Sequence, residues 1–208
     1  MSDLLCKLTN CYQGAINKLK LADGLAPLLL RLYLAPVMLQ AGWNKYQNFD
    51  NIVSWFGDAE WGLGLPLPGL MAFFATAAEL VGGLLLLFGL LTRLVSIPLI
   101  FTMLVAMVTV HWQHGWLAIA DPNSWLANGT ILFNESIMQS ADKLARANDI
   151  LTQHGHIDWL TSSGKFVILN NGIEFAATYF VMLLVLLFSG GGRYTSLDYW
   201  IKRKLCNN

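Results

Sequence analysis

The stretch TAAELVGGLLLLFGLL, residues 76–91, is apolar or small throughout except for one acid, Glu79. Such a run belongs in a bilayer, where a lone carboxylate is costly unless it faces protein and finds a partner. Three further segments have the same character. Residues 24–46 (GLAPLLLRLYLAPVMLQAGWNKY) carry Arg31, residues 94–112 carry no charge, and residues 172–188 are short, with Glu174 near their start. The Glu79 segment itself extends over residues 67–91. Crossing a bilayer takes about 20 mostly apolar residues. Composition agrees: 12% of residues are charged and 55% hydrophobic, where a soluble domain carries about a quarter charged. The expectation is an all-α protein, a four-helix transmembrane bundle.

The loops set the orientation. Lys7, Lys18, Lys20, Arg93, Arg193, Lys202, Arg203 and Lys204 fall on the side of the termini, against Lys45, Lys143, Arg146 and Lys165 on the other. Basic residues stay on the cytoplasmic side, so both termini are expected there. Trp43, Trp55, Trp61, Trp112, Trp116, Trp125 and Trp159 lie on the outer side, as do most of the loop acids. Indole rings favour the headgroup layer, so the outer loops are expected to lie against the membrane. The N-terminal residues lack a continuous apolar run with a small-residue cleavage site, and the first span reads as an uncleaved anchor. With 13 basic and 13 acidic residues there is no basic surface to attract nucleic acid.

The segments are then 1–23, a cytoplasmic N-terminal stretch; 24–112, three spans; 113–171, an outer insert; 172–189, the fourth span; and 190–208, an interfacial tail. Within the insert, SIMQSADKLARANDILTQHG repeats apolar residues at Ile137, Ala141, Leu144 and Leu151, the period of an amphipathic helix. Asn134 or Ser136 is placed to cap its start and Gly155 its end, with a second short helix through IDWL.

Glu79 shares a helical face with Ala75, Gly82 and Gly83, small residues that let another helix approach. Arg31 shares a face with Ala35, Met38, Gly42 and Lys45. Counting from the inner ends of their spans, Arg31 lies about 9 Å deep and Glu79 about 16 Å. A guanidinium reaches across that gap, so Arg31 is the expected partner of Glu79. Two roles remain open for the pair: a clasp between helices, or a site handling protons or quinone.

Met103, Met107, His111 and His114 form a stripe at helical spacing. Imidazole suits zinc and copper and thioether suits Cu(I), so His111, His114 and Met107, with Glu174, are candidate metal ligands. Cys6, Cys11 and Cys206 all fall on the inner side, where thiols stay reduced. No G-x-S-x-G, HExxH, dinucleotide or haem-attachment motif is present.

Several pieces in order resemble the DoxX family of small bacterial membrane proteins: Arg31, GWNKYQNF at 42–49, GLPLP at 64–68, AELVGGLLLLFGLLTRL at 78–94 and the closing TVHWQHG. They cover roughly residues 24–116, and Arg31, Gly42, Lys45, Glu79, Gly82, Gly83, Arg93 and His111 fit the pattern. The long outer insert departs from it and resembles a subgroup found beside small, secreted, metal-related peptides. The resemblance implies a four-helix membrane fold in the bacterial inner membrane. It also implies a redox-linked subunit working with membrane quinone, with Glu79, Arg31 and His111 as catalytic residues and Gly42, Lys45, Gly82 and Gly83 about the cofactor. The electrons would come from a redox partner protein or from the substrate. The alternative is a non-enzymatic membrane component of envelope metal (copper or zinc) or peptide handling, with a peptide-maturation partner.

Overall fold

The structure, a computed structural model, describes residues 6, 9–10, 12–14, 16, 20–127 and 134–206. Lys7, Cys11, Lys18 and residues 128–133 lie outside the described residues. Those that are described build an all-α protein. Helix α1 runs Leu25–Gln47 and α2 Phe49–Gly57. A loop then folds back through Leu63 N–H to Trp55 O and Leu65 N–H to Phe56 O. It is pinned by Asp58 Oδ1, which accepts from the amides of Glu60 and Trp61 at 2.8 and 2.9 Å. Helix α3, Pro68–Phe88, opens on a proline, whose missing N–H costs nothing in the first turn. It closes at Gly89, whose φ of +64° is the left-handed conformation favouring glycine. Helix α4, Thr92–Val105, continues as a π turn, Ala106–His111, and a 3-10 turn, Trp112–His114. Then follow α5 (Glu135–Met138), α6 (Ser140–His154), α7 (Ile157–Leu160), α8 (Glu174–Ser189) and α9 (Leu197–Cys206).

Three helices are long and apolar enough to cross a membrane: Leu25–Gln47, Pro68–Phe88 and Thr92–His114. Helix α8 is equally apolar but has 16 residues, which reach about 24 Å.

The chain divides into two compact units, Met1–Thr102 with Val181–Asn208, and Met103–Phe180. In the first, α1 and α3 are antiparallel neighbours, in contact through small residues. A Cβ on Gly42 would stand 2.9 Å from Leu80, and one on Gly83 would stand 2.8 Å from Leu39 Cγ. Gly82 takes the opposite flank of α3 and fits against Val95 and Leu99 of α4. Leu29, Leu32, Phe73, Phe74 and Val81 point outward and are exposed, which for helices of this length is the surface offered to lipid.

The second unit has its own small core of Leu117, Ala127 and Ile137, flanked by Trp116, Ala120 and Leu126. Asn134 caps α5 by accepting from Ser136 N–H at 2.9 Å, and Gly155 closes α6. Of the expected apolar face, Ile137 is fully buried and Leu144 and Leu151 are half-buried, whereas Ala141 is exposed. An isolated antiparallel bridge joins Ile119 to Leu169. Asn170 holds this closure, donating to the carbonyls of His114 and Leu117 at 2.6 Å each.

Candidate functional site

The first unit contains two buried charge centres, and the expected Arg31–Glu79 pair is neither of them. Glu79, in the middle of α3 and 2% exposed, takes both bonds from Lys45 of α1. Lys45 Nζ donates to Oε1 at 2.8 Å and to Oε2 at 2.7 Å. The lysine side chain is 23% exposed, so its stem reaches inward from the C-terminal turn of α1 while one flank stays open. Two short charge-assisted bonds to one carboxylate make a strong contact. The antiparallel register explains the choice: with Gly42 against Leu80 and Glu79, Lys45 lies one turn from the acid. Counting depth along each helix separately missed that register. The shared face of Gly42 and Lys45, small then basic, was the signal available in the sequence.

Arg31 is 0% exposed and binds carbonyls. Its Nη1 donates to Leu86 O at 3.1 Å and Leu87 O at 3.3 Å, and its Nη2 to Thr195 O at 2.8 Å. Leu86 and Leu87 are among the last residues of α3, whose final carbonyls have no partner inside the helix and form its negative end. Arg31 therefore closes that helix end and ties the segment before α9 to it. The guanidinium occupies the space where a Cβ on Gly89 would sit, so residue 89 must be glycine for room as well as for backbone conformation. Nearby, Asp198 accepts from the amides of Leu91 and Thr92 at 2.7 and 2.9 Å, holding the start of α4. Leu91 needs that hold, being a non-glycine residue at φ +50°. Asp198 was not singled out in the sequence; the signal was an acid standing alone in a basic tail.

Gly42, Gly82 and Gly83 were assigned to a cofactor. Side chains of neighbouring helices fill the space above all three, so these glycines are where helices make close contact.

The second unit contains the histidines. The π turn changes the helical spacing from i+4 to i+5 over 106–111, which breaks the single face expected for Met103, Met107, His111 and His114. Met103 is buried and Met107 half-buried. His111 Nδ1 lies 2.8 Å from Asn171 O; a carbonyl only accepts, so Nδ1 carries the proton. Glu174, offered as a metal ligand, has Oε2 engaged by Ala118 N–H at 2.9 Å. Among the described residues no group of three His, Cys, Asp or Glu stands together as a metal would require.

A helical membrane protein is thus defined whose buried charges sit at the α1–α3 contact and at the end of α3. The DoxX family model matches residues 26–112, which hold both charge centres save for the residues contributed by the C-terminal tail. Over that stretch the chain is similar to the DoxX family. It is also similar to a protein of Bacillus subtilis (strain 168) named "Putative oxidoreductase CatD", 34% identical over 94 residues. That match covers 45% of this chain and 66% of the relative, just under two thirds of the relative's length. No solved structure matches the chain.

Proposed function

We propose that this chain is a redox-linked membrane protein that works with membrane quinone in a bacterial inner membrane, its termini cytoplasmic and α8 serving as a fourth span. The observation that carries the reading is the Lys45–Glu79 pair. An ammonium has three N–H donors. Two are spent on Glu79, and the third is free for a carbonyl oxygen arriving at the open flank of Lys45. On the same helix Trp43 and Tyr46 are exposed, their rings 5.5 Å apart and tilted by 33°, an aromatic pair that a ring headgroup can pack against. This donor set fits a quinone. When bound, a quinone accepts two electrons and two protons. Lys45 holds a proton at Nζ, Glu79 fixes the ammonium and compensates its charge, and the glycine contacts of α1 with α3 keep both aligned. Electrons come from a redox partner protein or a reduced substrate. The name of the Bacillus relative supports the oxidoreductase class. Arg31, committed to carbonyls, has a positioning role in this reading.

The test is quinone reductase activity of lipid-reconstituted protein supplied with its donor. Glu79→Gln should lower the rate per folded molecule by about 100-fold, the scale of general acid–base catalysis, with folded yield retained. An unchanged rate per molecule with reduced yield sinks the proposal and leaves the pair a structural clasp.

One observation favours the metal-handling alternative. The tautomer fixed by Asn171 O leaves His111 Nε2 with a free lone pair. Copper or zinc retained in stoichiometric amount, and lost on replacing His111 and His114 together, would support it; metal-free protein with normal cellular function would remove it.

A further inference from the structure

The triple glycine 190–192 and Arg93 play no part in the proposed redox site, yet they meet. A cleft of about 450 Å³ opens between the start of α4, the end of α8 and α9, lined among others by Arg93, Gly190, Gly191, Gly192, Arg193 and Lys202. The glycine run is built for close approach. Gly190 and Gly192 sit at φ +78° and +94°, and a Cβ on Gly191 would meet Ser196 Cβ and Thr92 Oγ1 at 2.7 Å. A Cβ on Gly190 would stand 3.1 Å from Arg93 Nε, so the guanidinium lies against bare backbone. The amides of Gly191 and Gly192 donate no hydrogen bond among the described residues.

Three cations face one carboxylate here, and that carboxylate, Asp198, is already bonded by the amides of Leu91 and Thr92. Arg193 is partly engaged, 3.5 Å from Asp23. Arg93 and Lys202 have no ion-pair partner among the described residues. The cations are exposed to solvent, and their convergence beside backbone N–H groups left free by the fold suits a tetrahedral oxyanion. The cleft's rim carries exposed Leu91 and Leu94, beside the aromatic contacts of Tyr194, Tyr199 and Trp200. Such residues mark headgroup depth.

We infer that this cleft is a phosphate-binding site formed by Arg93, Lys202, Arg193 and the 190–192 backbone, and that the phosphate is that of an anionic phospholipid headgroup. It is independent of the quinone reading, since none of its residues belongs to the Lys45–Glu79 centre.

The experiment titrates purified full-length protein with mixed micelles containing phosphatidylglycerol, with phosphatidylcholine micelles, and with inorganic phosphate at matched ionic strength, reading bound lipid by native mass spectrometry and thermal stability. Phosphatidylglycerol should bind and stabilise, and each cation removed should weaken it by about fivefold. Lys202→Ala, on an exposed position of α9, carries the test without threatening the fold, and Arg93→Ala extends it. Lys204→Ala, outside the cleft lining, should leave specific binding unchanged. Inorganic phosphate binding as well as the lipid would overturn the lipid source. Equal lipid binding by wild type, Lys202→Ala and Arg93→Ala would overturn the site.

Discussion

The two charge centres of the first unit cope with burial in opposite ways. Lys45 and Glu79 compensate each other, cation to carboxylate, across two helices. Arg31 has no carboxylate bonded to it and instead takes up three carbonyls, two of them at the end of α3. Arginine suits the second task, because its planar fork spreads donors over several acceptors and does not give up its proton. The Lys–Glu pair suits chemistry, because both members can exchange one. The proposed function rests on the first centre, and the second closes a helix end.

The largest effect should come from breaking the closure. Arg31→Ala removes a donor from three carbonyls; Leu86 O keeps the Gly89 N–H, while Leu87 O and Thr195 O lose theirs, at about 1–3 kcal/mol for each unsatisfied group. With net stabilities of about 5–15 kcal/mol, the expected outcome is little or no folded protein on size-exclusion chromatography in detergent. Arg31→Lys should not rescue it, since a point-charge ammonium cannot reproduce the fork. Folded Arg31→Ala protein with lost quinone reductase activity would reverse the roles given to the two centres.

Next is the ion pair. Lys45→Met leaves Glu79 buried and alone, a loss of about 3–5 kcal/mol when one partner of a buried pair is removed. Adding Glu79→Leu should recover most of that stability, because replacing both members by apolar groups is often neutral. Thermal unfolding of the single and double variants reads the coupling. A double variant no more stable than Lys45→Met would mean that the pair does more for the fold than compensate charge.

The helical class, the antiparallel spans and the insert's capped helix follow from hydrophobic period and length, and the residues say so directly: Pro68 opens α3, Gly89 closes it, and Asn134 caps α5. The identity of the charged partner does not follow. Arg31 and Lys45 share one face of α1, and only the register of α1 against α3, set by the interlocking of Gly42 and Gly83 with Leu80 and Leu39, decides which cation meets Glu79. The role of Arg31 depends on Thr195, far along the chain, which no local pattern near residue 31 announces. The π turn is equally silent, because Ala106–His111 reads as ordinary helix until its neighbours fix the extra residue per turn.

The smallest effect bears most directly on the contrast between the centres. Asp198 stands beside the Arg31 closure, its N–H donating to Gly89 O at 3.0 Å, yet its carboxylate is bonded to the amides of Leu91 and Thr92. If Arg31 is compensated by carbonyls, Asp198→Asn removes a negative charge and one good acceptor from a helix start and keeps an amide oxygen for the other. The expected loss is then about 1 kcal/mol, the scale of a helix N-cap, seen as a small fall in unfolding temperature. If Asp198 is instead the true counter-ion of Arg31, neutralising it strands a buried guanidinium, and the loss should approach that of Arg31→Ala. A near-equal loss for the two variants would make the α3 closure a second ion-pair centre and dissolve the distinction from Lys45–Glu79.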